Sequence, residues 1–138
     1  VYVSDMMDTR IYSLDKGELK IWLDDIILTG PNGLYCDDEY LYVGCKKIVR
    51  VDYVSKEMEV YAEETGSIDG LKYKGKGKFI FSDWAGNVYI INKKKKIKNI
   101  INTADAKINA ADIEYIPEKK LLLVPTFFDN RVVAYELK

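Results

Sequence analysis

Apolar and polar residues take turns along most of this chain, in short runs separated by Gly-, Pro-, Asn- and Asp-rich breakers. A period of two, with turn residues every few positions, is the mark of antiparallel strands with one face buried. The clearest run is GSIDGLKYKGKGKFIFSDWAGNVYII, over 66–91. It predicts a turn at Ile68-Asp69-Gly70, a strand at 71–73, a Gly/Lys turn at 74–78 and a strand at 79–83; a turn at 84–87 and a strand at 88–91 follow. Upstream, strands are predicted at 1–5, 10–15 and 19–23, then at 34–36, 40–45, 47–53 and 58–63. Downstream they are predicted at 97–101, 112–116, 121–124 and 131–137. No amphipathic helix is predicted, and residues 102–111 have room for one short helical turn at most.

The pattern repeats. The runs RIYSLD, KIVRVD, NVYIIN and RVVAYE begin at 10, 47, 87 and 131, so they lie 37, 40 and 44 residues apart. VYVSD, LYVGC, FIFSD and LLLVP precede them as equivalent second strands. Four strands about every 40 residues is the period of a β-propeller blade, which needs neighbours stacked on it to bury its faces. A β-sandwich is the rival all-β reading; the repeat favours the propeller. Units at about 1–29, 30–65, 66–108 and 109–138 carry three, four, four and three strands. A closed six-bladed ring needs about 24 strands, so the expectation is a single partial propeller, roughly half a ring. A missing N-terminal half or a second copy would complete it. The Val1 start inside a strand favours a fragment.

Composition adjusts this picture only slightly. With 138 residues, 48% hydrophobic and 31% charged, the chain is globular. A net charge of −1 argues against nucleic acid and anionic membranes as partners. No apolar run is long enough for a membrane-spanning helix, and localisation stays open. The absence of His excludes Ser-His-Asp chemistry and His-based metal sites within the chain. Cys36 and Cys45 flank a turn in a register that separates them, so they are expected to be small core thiols.

Candidate chemistry sits at the heads of the repeats. Pro31-Asn32-Gly33-Leu34, Ile68-Asp69-Gly70-Leu71 and Ala110-Ala111-Asp112-Ile113 align. In a propeller this crossing lies beside the central channel. Asn32, Asp69 and Ala111 then occupy equivalent places, and the oxygens of Asn32 and Asp69 could converge on a hard cation such as Ca²⁺. Asn-Gly and Asp-Gly are also ordinary turn dipeptides.

The motifs GPNGL (30–34), GSIDGL (66–71), FIFSDWAGNVYII (79–91) and PTFFDNRVVAYEL (125–137) resemble the SMP-30/gluconolactonase/LRE-like family of six-bladed propellers, over that family's C-terminal half. The resemblance implies a divalent metal at the channel mouth, held by an upstream Glu and by the Asn and Asp of the two turns, here Asn32 and Asp69. It implies Ca²⁺ first, with Zn²⁺ or Mg²⁺ as alternatives, and Asp69 as the catalytic base. Active members hydrolyse sugar lactones or related esters, so it also implies a lactone or sugar-like ligand. The family's Glu and a further channel Asn would lie upstream of Val1, and the third equivalent position is Ala111, which offers no ligand. The alternative is a non-catalytic scaffold that binds a ligand or protein at its channel face or open edges.

Asn109 and Asp112 flank Ala111 and are candidate substrate contacts, as is Trp84, which lines a sugar-binding mouth or packs between blades. Phe127 and Phe128 border the pocket or cap the open sheet. Trp22 reads as outer-strand core. Asp24-Asp25, Asp37-Asp38 and the lysine run at 93–96 read as solvated turns.

Overall fold

The alternating runs form strands, and each strand pairs with its neighbour in sequence. The computed structural model describes residues 1–138. Sheet A contains β1 (Tyr2–Asp5), β2 (Arg10–Asp15) and β3 (Glu18–Asp24). Sheet B contains β4 (Leu34–Cys36), β5 (Tyr40–Gly44), β6 (Ile48–Asp52) and β7 (Met58–Ala62). Sheet C contains β8 (Leu71–Gly75), β9 (Lys78–Ser82), β10 (Asn87–Ile91) and β11 (Ile97–Asn102). Sheet D contains β12 (Glu114–Ile116), β13 (Leu121–Pro125) and β14 (Val132–Glu136). Every pairing is antiparallel between consecutive strands, so each sheet is a simple meander. The expected three, four, four and three strands are present. There is no α-helix, only short 3₁₀ turns, among them Ala104–Ala106 where one was allowed.

The chain falls into two compact units, Val1–Ile68 with sheets A and B, and Asp69–Lys138 with sheets C and D. In the first, alternate residues Leu41 and Val43 of β5 and Val49 and Val51 of β6 bury one face of sheet B, with Ile11 and Leu28 in the same core. In the second, Ile80 and Val88 of sheet C share a core with Tyr115, Leu122 and Val124 of sheet D. The opposite face of sheet C is also closed: Phe79 and Phe81 are buried, and Phe81 stacks on Tyr89 at 5.1 Å.

Sheet A keeps an apolar face in solvent. Its register sets Val3 opposite Tyr12 and Tyr12 opposite Ile21, with Leu14 opposite Leu19. Val3, Leu14, Leu19 and Ile21 are all exposed. An exposed, contiguous set of this kind is what stacking another sheet would cover.

Several expectations need correction. Cys36 is an exposed free thiol rather than a core one, because it ends a short strand at a solvent-facing turn; Cys45 is buried as expected. The β8–β9 hairpin is tighter than 74–78: β8 continues to Gly75, and Gly75, Lys76 and Gly77 reverse the chain with positive φ. β6 and β14 each begin one residue late, at Ile48 and Val132, because Lys47 and Arg131 lend their carbonyls to turn hydrogen bonds. The repeat alignment slips by one in the last unit. Pro125, not Val124, corresponds to Ser82, since Ala111 N–H donates to Pro125 as Asp69 N–H does to Ser82. Trp22, as expected, is on the outer strand and packs against the core, half-buried beside Tyr2 and Tyr53, with Lys56 Nζ 3.5 Å over its ring.

Phe81 is fully buried. Phe81→Ala should cost about 3–5 kcal/mol in denaturant unfolding, while Val132→Ala, at a 63% exposed edge position, should stay within about 0.5 kcal/mol. Tyr42 packs among Tyr35, Tyr40 and Tyr61. Burial, then the neighbouring Asp37, pushes its pKa from 10.0 up to about 12. The unfolded chain therefore ionises first. The stability from neutral Tyr42 is full below pH 10 and is lost as pH climbs towards 12. Unfolding midpoints measured across that window should fall more steeply in the parent protein than in Tyr42→Phe.

Candidate functional site

The three head turns share one backbone arrangement. Asn32 N–H donates to Gly44 C=O at 2.8 Å, Asp69 N–H to Ser82 C=O at 2.8 Å, and Ala111 N–H to Pro125 C=O at 3.0 Å. In the first two, the return bond also forms: Gly44 N–H to Gly33 C=O at 2.8 Å and Ser82 N–H to Gly70 C=O at 3.0 Å. Proline has no N–H, so the third head lacks it. Each pair extends the ladder of the first two strands by one step, into the turn. Asn32, Asp69 and Ala111 are all partly exposed, behind buried Pro31, Ile68 and Ala110.

A serine strengthens this clasp within each unit. Ser4 Oγ donates to Asn32 C=O at 2.7 Å, from sheet A to the head of sheet B. Ser82 Oγ donates to Ala111 C=O at 2.7 Å, from sheet C to the head of sheet D, and accepts from Gly70 N–H at 2.9 Å. Ser82 is fully buried, so these bonds satisfy a group that would otherwise be costly to bury. Sequence reasoning passed over both serines, although VYVSD and FIFSD show them at the same repeat position. Gly44 holds that position in sheet B because a Cβ would lie 2.5 Å from Ile68 Cγ2. Gly70 is required for close approach rather than for its φ: a Cβ there would lie 2.6 Å from Ile113 N and 2.8 Å from Asp112 Oδ1.

The remaining candidates separate by role. Asn109 Nδ2 donates to Trp84 C=O at 2.8 Å, so this amide fastens a loop. Asp112 is exposed and accepts from the N–H of Ile113 at 2.8 Å. It borders a shallow cavity of about 270 Å³ with Lys72, Glu114, Leu123 and Val132, in which Lys72 pairs with Glu114 at 3.2 Å. Trp84 meets Phe127 edge-on at 4.8 Å and Phe128 at 6.1 Å, and stays 45% exposed. The structure thus joins Asn109 to the Trp84 loop and leaves Asp112 apart, in its own cavity. No three Cys, Asp or Glu side chains gather into a group able to hold a metal ion. The side chains at the first two heads are an amide, Asn32, and a carboxylate, Asp69.

No protein-family model matches the chain, and no curated protein matches it. Solved structures do match. A protein named provisionally as a gluconolactonase superposes with a TM-score of 0.67 at 20% identity, over 92% of this chain and 45% of that one. The computationally designed Ika4 protein superposes at 0.64 and 11% identity, over 95% and 81%. The extracellular domain of a protein named provisionally as a hybrid two-component system from B. thetaiotaomicron gives 0.56 and 17%, over 85% and 16%. The fold is that of a partial β-propeller. At these identities the likeness is one of fold. The chain spans less than half the length of the gluconolactonase-named structure.

Ser82→Ala leaves Gly70 N–H and Ala111 C=O without their buried partner. It should lower unfolding free energy by roughly 1–3 kcal/mol. Gly70→Ala should cost at least as much, read in the same denaturant titration, because backbone and a short Asp side chain block the added methyl.

Proposed function

We propose that this chain is part of a lactonase-type propeller, in which Asn32 and Asp69 are ligands of a divalent cation and Asp69 is the catalytic carboxylate. Ca²⁺ is the first choice, with Zn²⁺ and Mg²⁺ as alternatives. The observation that carries the reading is the matched clasp. The only two heads that keep both ladder bonds are those bearing oxygen-rich side chains, Asn32 and Asp69. The fold likeness to the gluconolactonase-named structure supports the same reading at the level of architecture.

The ligand class is a sugar lactone or related ester at the channel face of the completed propeller. When bound, the cation supplies Lewis-acid polarisation of the lactone carbonyl. Asp69 orients the attacking water and accepts its proton at a carboxylate oxygen as the new C–O bond forms. The bond from the carbonyl carbon to the ring oxygen breaks, Asp69 returns the proton to that oxygen, and the product is the open hydroxy acid. Asn32 presents its amide oxygen and holds no proton. Asn109, Asp112 and Trp84 are the candidate contacts for the sugar. The rest of the ring, from a further stretch of chain or a second copy, would cover the exposed face of sheet A and bring more donors.

A second reading, a non-catalytic binding scaffold, is favoured by that same exposed apolar face and by the solvent-facing aromatic rings at Trp84, Phe127 and Phe128.

Calorimetric titration with Ca²⁺ separates the two. The chain alone, with one amide and one carboxylate, should bind with a Kd on the order of millimolar. Asp69→Ala should weaken binding tenfold or more, which is about 1.4 kcal/mol, and Asn32→Ala should weaken it less. Lactone turnover by the 138-residue chain alone should be negligible. No Ca²⁺ binding, or equal binding in Asp69→Ala, would leave the scaffold reading.

A further inference from the structure

The net charge of −1 hides an uneven distribution. Val1–Ile68 holds 14 Asp and Glu against seven Lys and Arg, a net of −7; Asp69–Lys138 holds 14 Lys and Arg against eight Asp and Glu, a net of +6. Within the second unit, sheet C divides its charges between its two ends. Alternate turns of a meander lie at the same end. Asp69 at the head, Asp83 in the β9–β10 turn and Asp105 after β11 share one end, where Asp69 N–H reaches Ser82 C=O and Thr103 N–H reaches Gly86 C=O. The β8–β9 and β10–β11 turns make the other end, and residues 70–82 and 84–104 contain no Asp or Glu.

That second end is built from lysine. Lys76 and Lys78 at the β8–β9 turn are exposed, as are Lys93 to Lys96 and Lys98 at the β10–β11 turn. The two turns touch, since a Cβ on Gly77 would lie 3.0 Å from Lys93 Cβ. Both are held in place. Gly77 N–H donates to Tyr73 Oη at 2.9 Å, and Asn92 Oδ1 accepts from the N–H groups of Lys94 at 2.8 Å and Lys96 at 3.2 Å. Lys74 leans back, its Nζ donating to Tyr115 Oη at 3.0 Å. The corresponding turn of sheet D adds Lys119 and Lys120 beside Glu118. Glu136 and Lys138, on the segment that bonds back to Lys120, cancel. The centres of the two sheet C turns lie about 10 Å apart, two strand spacings. Over that distance, close to the screening length of about 8 Å, the ammonium groups repel one another, and an opposing anionic surface removes that cost.

We propose that this lysine end of sheet C docks on an anionic phospholipid surface. Every cation on the two turns is a lysine. A lysine ammonium is a compact point charge that answers to a smeared negative potential; two-pronged capture of one phosphate or one base edge is arginine chemistry. The turns also offer no free ring on which a base could stack. Tyr73 packs on Phe79 at 5.2 Å, with its hydroxyl bonded to Gly77. Two turn tips side by side make a blunt end, so a flat surface meets all the lysines and a rod-like duplex meets only part of them. The net-negative first unit is repelled by the same surface, so the lysine end leads. This end lies opposite Asp69 and Trp84 on sheet C, and the proposal does not rest on the metal or lactone reading.

Sedimentation of the 138-residue chain with lipid vesicles tests it. At about 0.1 M salt the chain should pellet with phosphatidylcholine vesicles containing about one third phosphatidylserine, and not with phosphatidylcholine alone. Raising the salt to about 1 M should release it. Each lysine at such a surface changes partitioning about fivefold, so Lys93→Gln, Lys94→Gln, Lys95→Gln and Lys96→Gln combined should weaken it at least about a hundredfold. Lys16→Gln, Lys20→Gln, Lys46→Gln and Lys47→Gln combined give the same net charge and should stay within about threefold of the parent. Equal partitioning onto neutral vesicles, or equal loss in the two fourfold variants, would overturn the proposal. So would release from the vesicles by a mixed-sequence DNA duplex at equal phosphate concentration, which would assign the lysine end to nucleic acid.

Discussion

The structure depends on a main-chain clasp. At the head of sheets B, C and D, one N–H from the incoming turn reaches the last carbonyl of the second strand. The bond extends the inner hairpin beyond its last regular pair and fixes the direction in which the next residue leaves. Two buried or half-buried serines then couple the clasp to the neighbouring sheet of the same unit, through the carbonyls of Asn32 and Ala111. Side-chain packing tolerates variation from one repeat to the next. The first clasp bond, from the head N–H to the second strand's last carbonyl, recurs in all three heads, and glycine clearances at Gly44 and Gly70 allow little movement there.

This explains why so much of the fold was legible in the sequence. Alternation marks strands because one face is buried, and the forty-residue repeat marks sheets because each is the same meander of consecutive antiparallel strands. What escaped were features set by tertiary contact. The slip at Pro125 is invisible in an alignment of apolar letters, since Val124 and Pro125 both look like strand residues; only the partner of Ala111 N–H decides between them. Cys36 reads as a core thiol by composition, yet its strand is three residues long and ends at solvent. The serine latches could have been found: a hydroxyl recurring at the end of an otherwise apolar strand has to bond something.

The candidate site was legible to a different degree. The head turns stood out because Asn-Gly and Asp-Gly recur in step with the repeat, and the structure gives both turns the same backbone bonds. Asn109, singled out as a substrate contact, also secures the Trp84 loop through its Nδ2. Trp84 itself was weighed as packing between blades. It packs against Phe127 and Phe128, on a loop of the neighbouring sheet bent through a positive φ, and stays partly in solvent. The candidate residues thus sit on turns while rigidity comes from the strands beneath, the usual division of labour in sheet proteins.

Amide hydrogen exchange at the three heads reaches this account most directly. The N–H groups of Asn32, Asp69 and Ala111 should be protected as strongly as strand amides such as Val43 and Phe81, despite lying in partly exposed turns. Exchange at the rate of open loops for Asn32 and Asp69, with the strands still protected, would show that no clasp forms and that these two side chains are not held in equivalent positions.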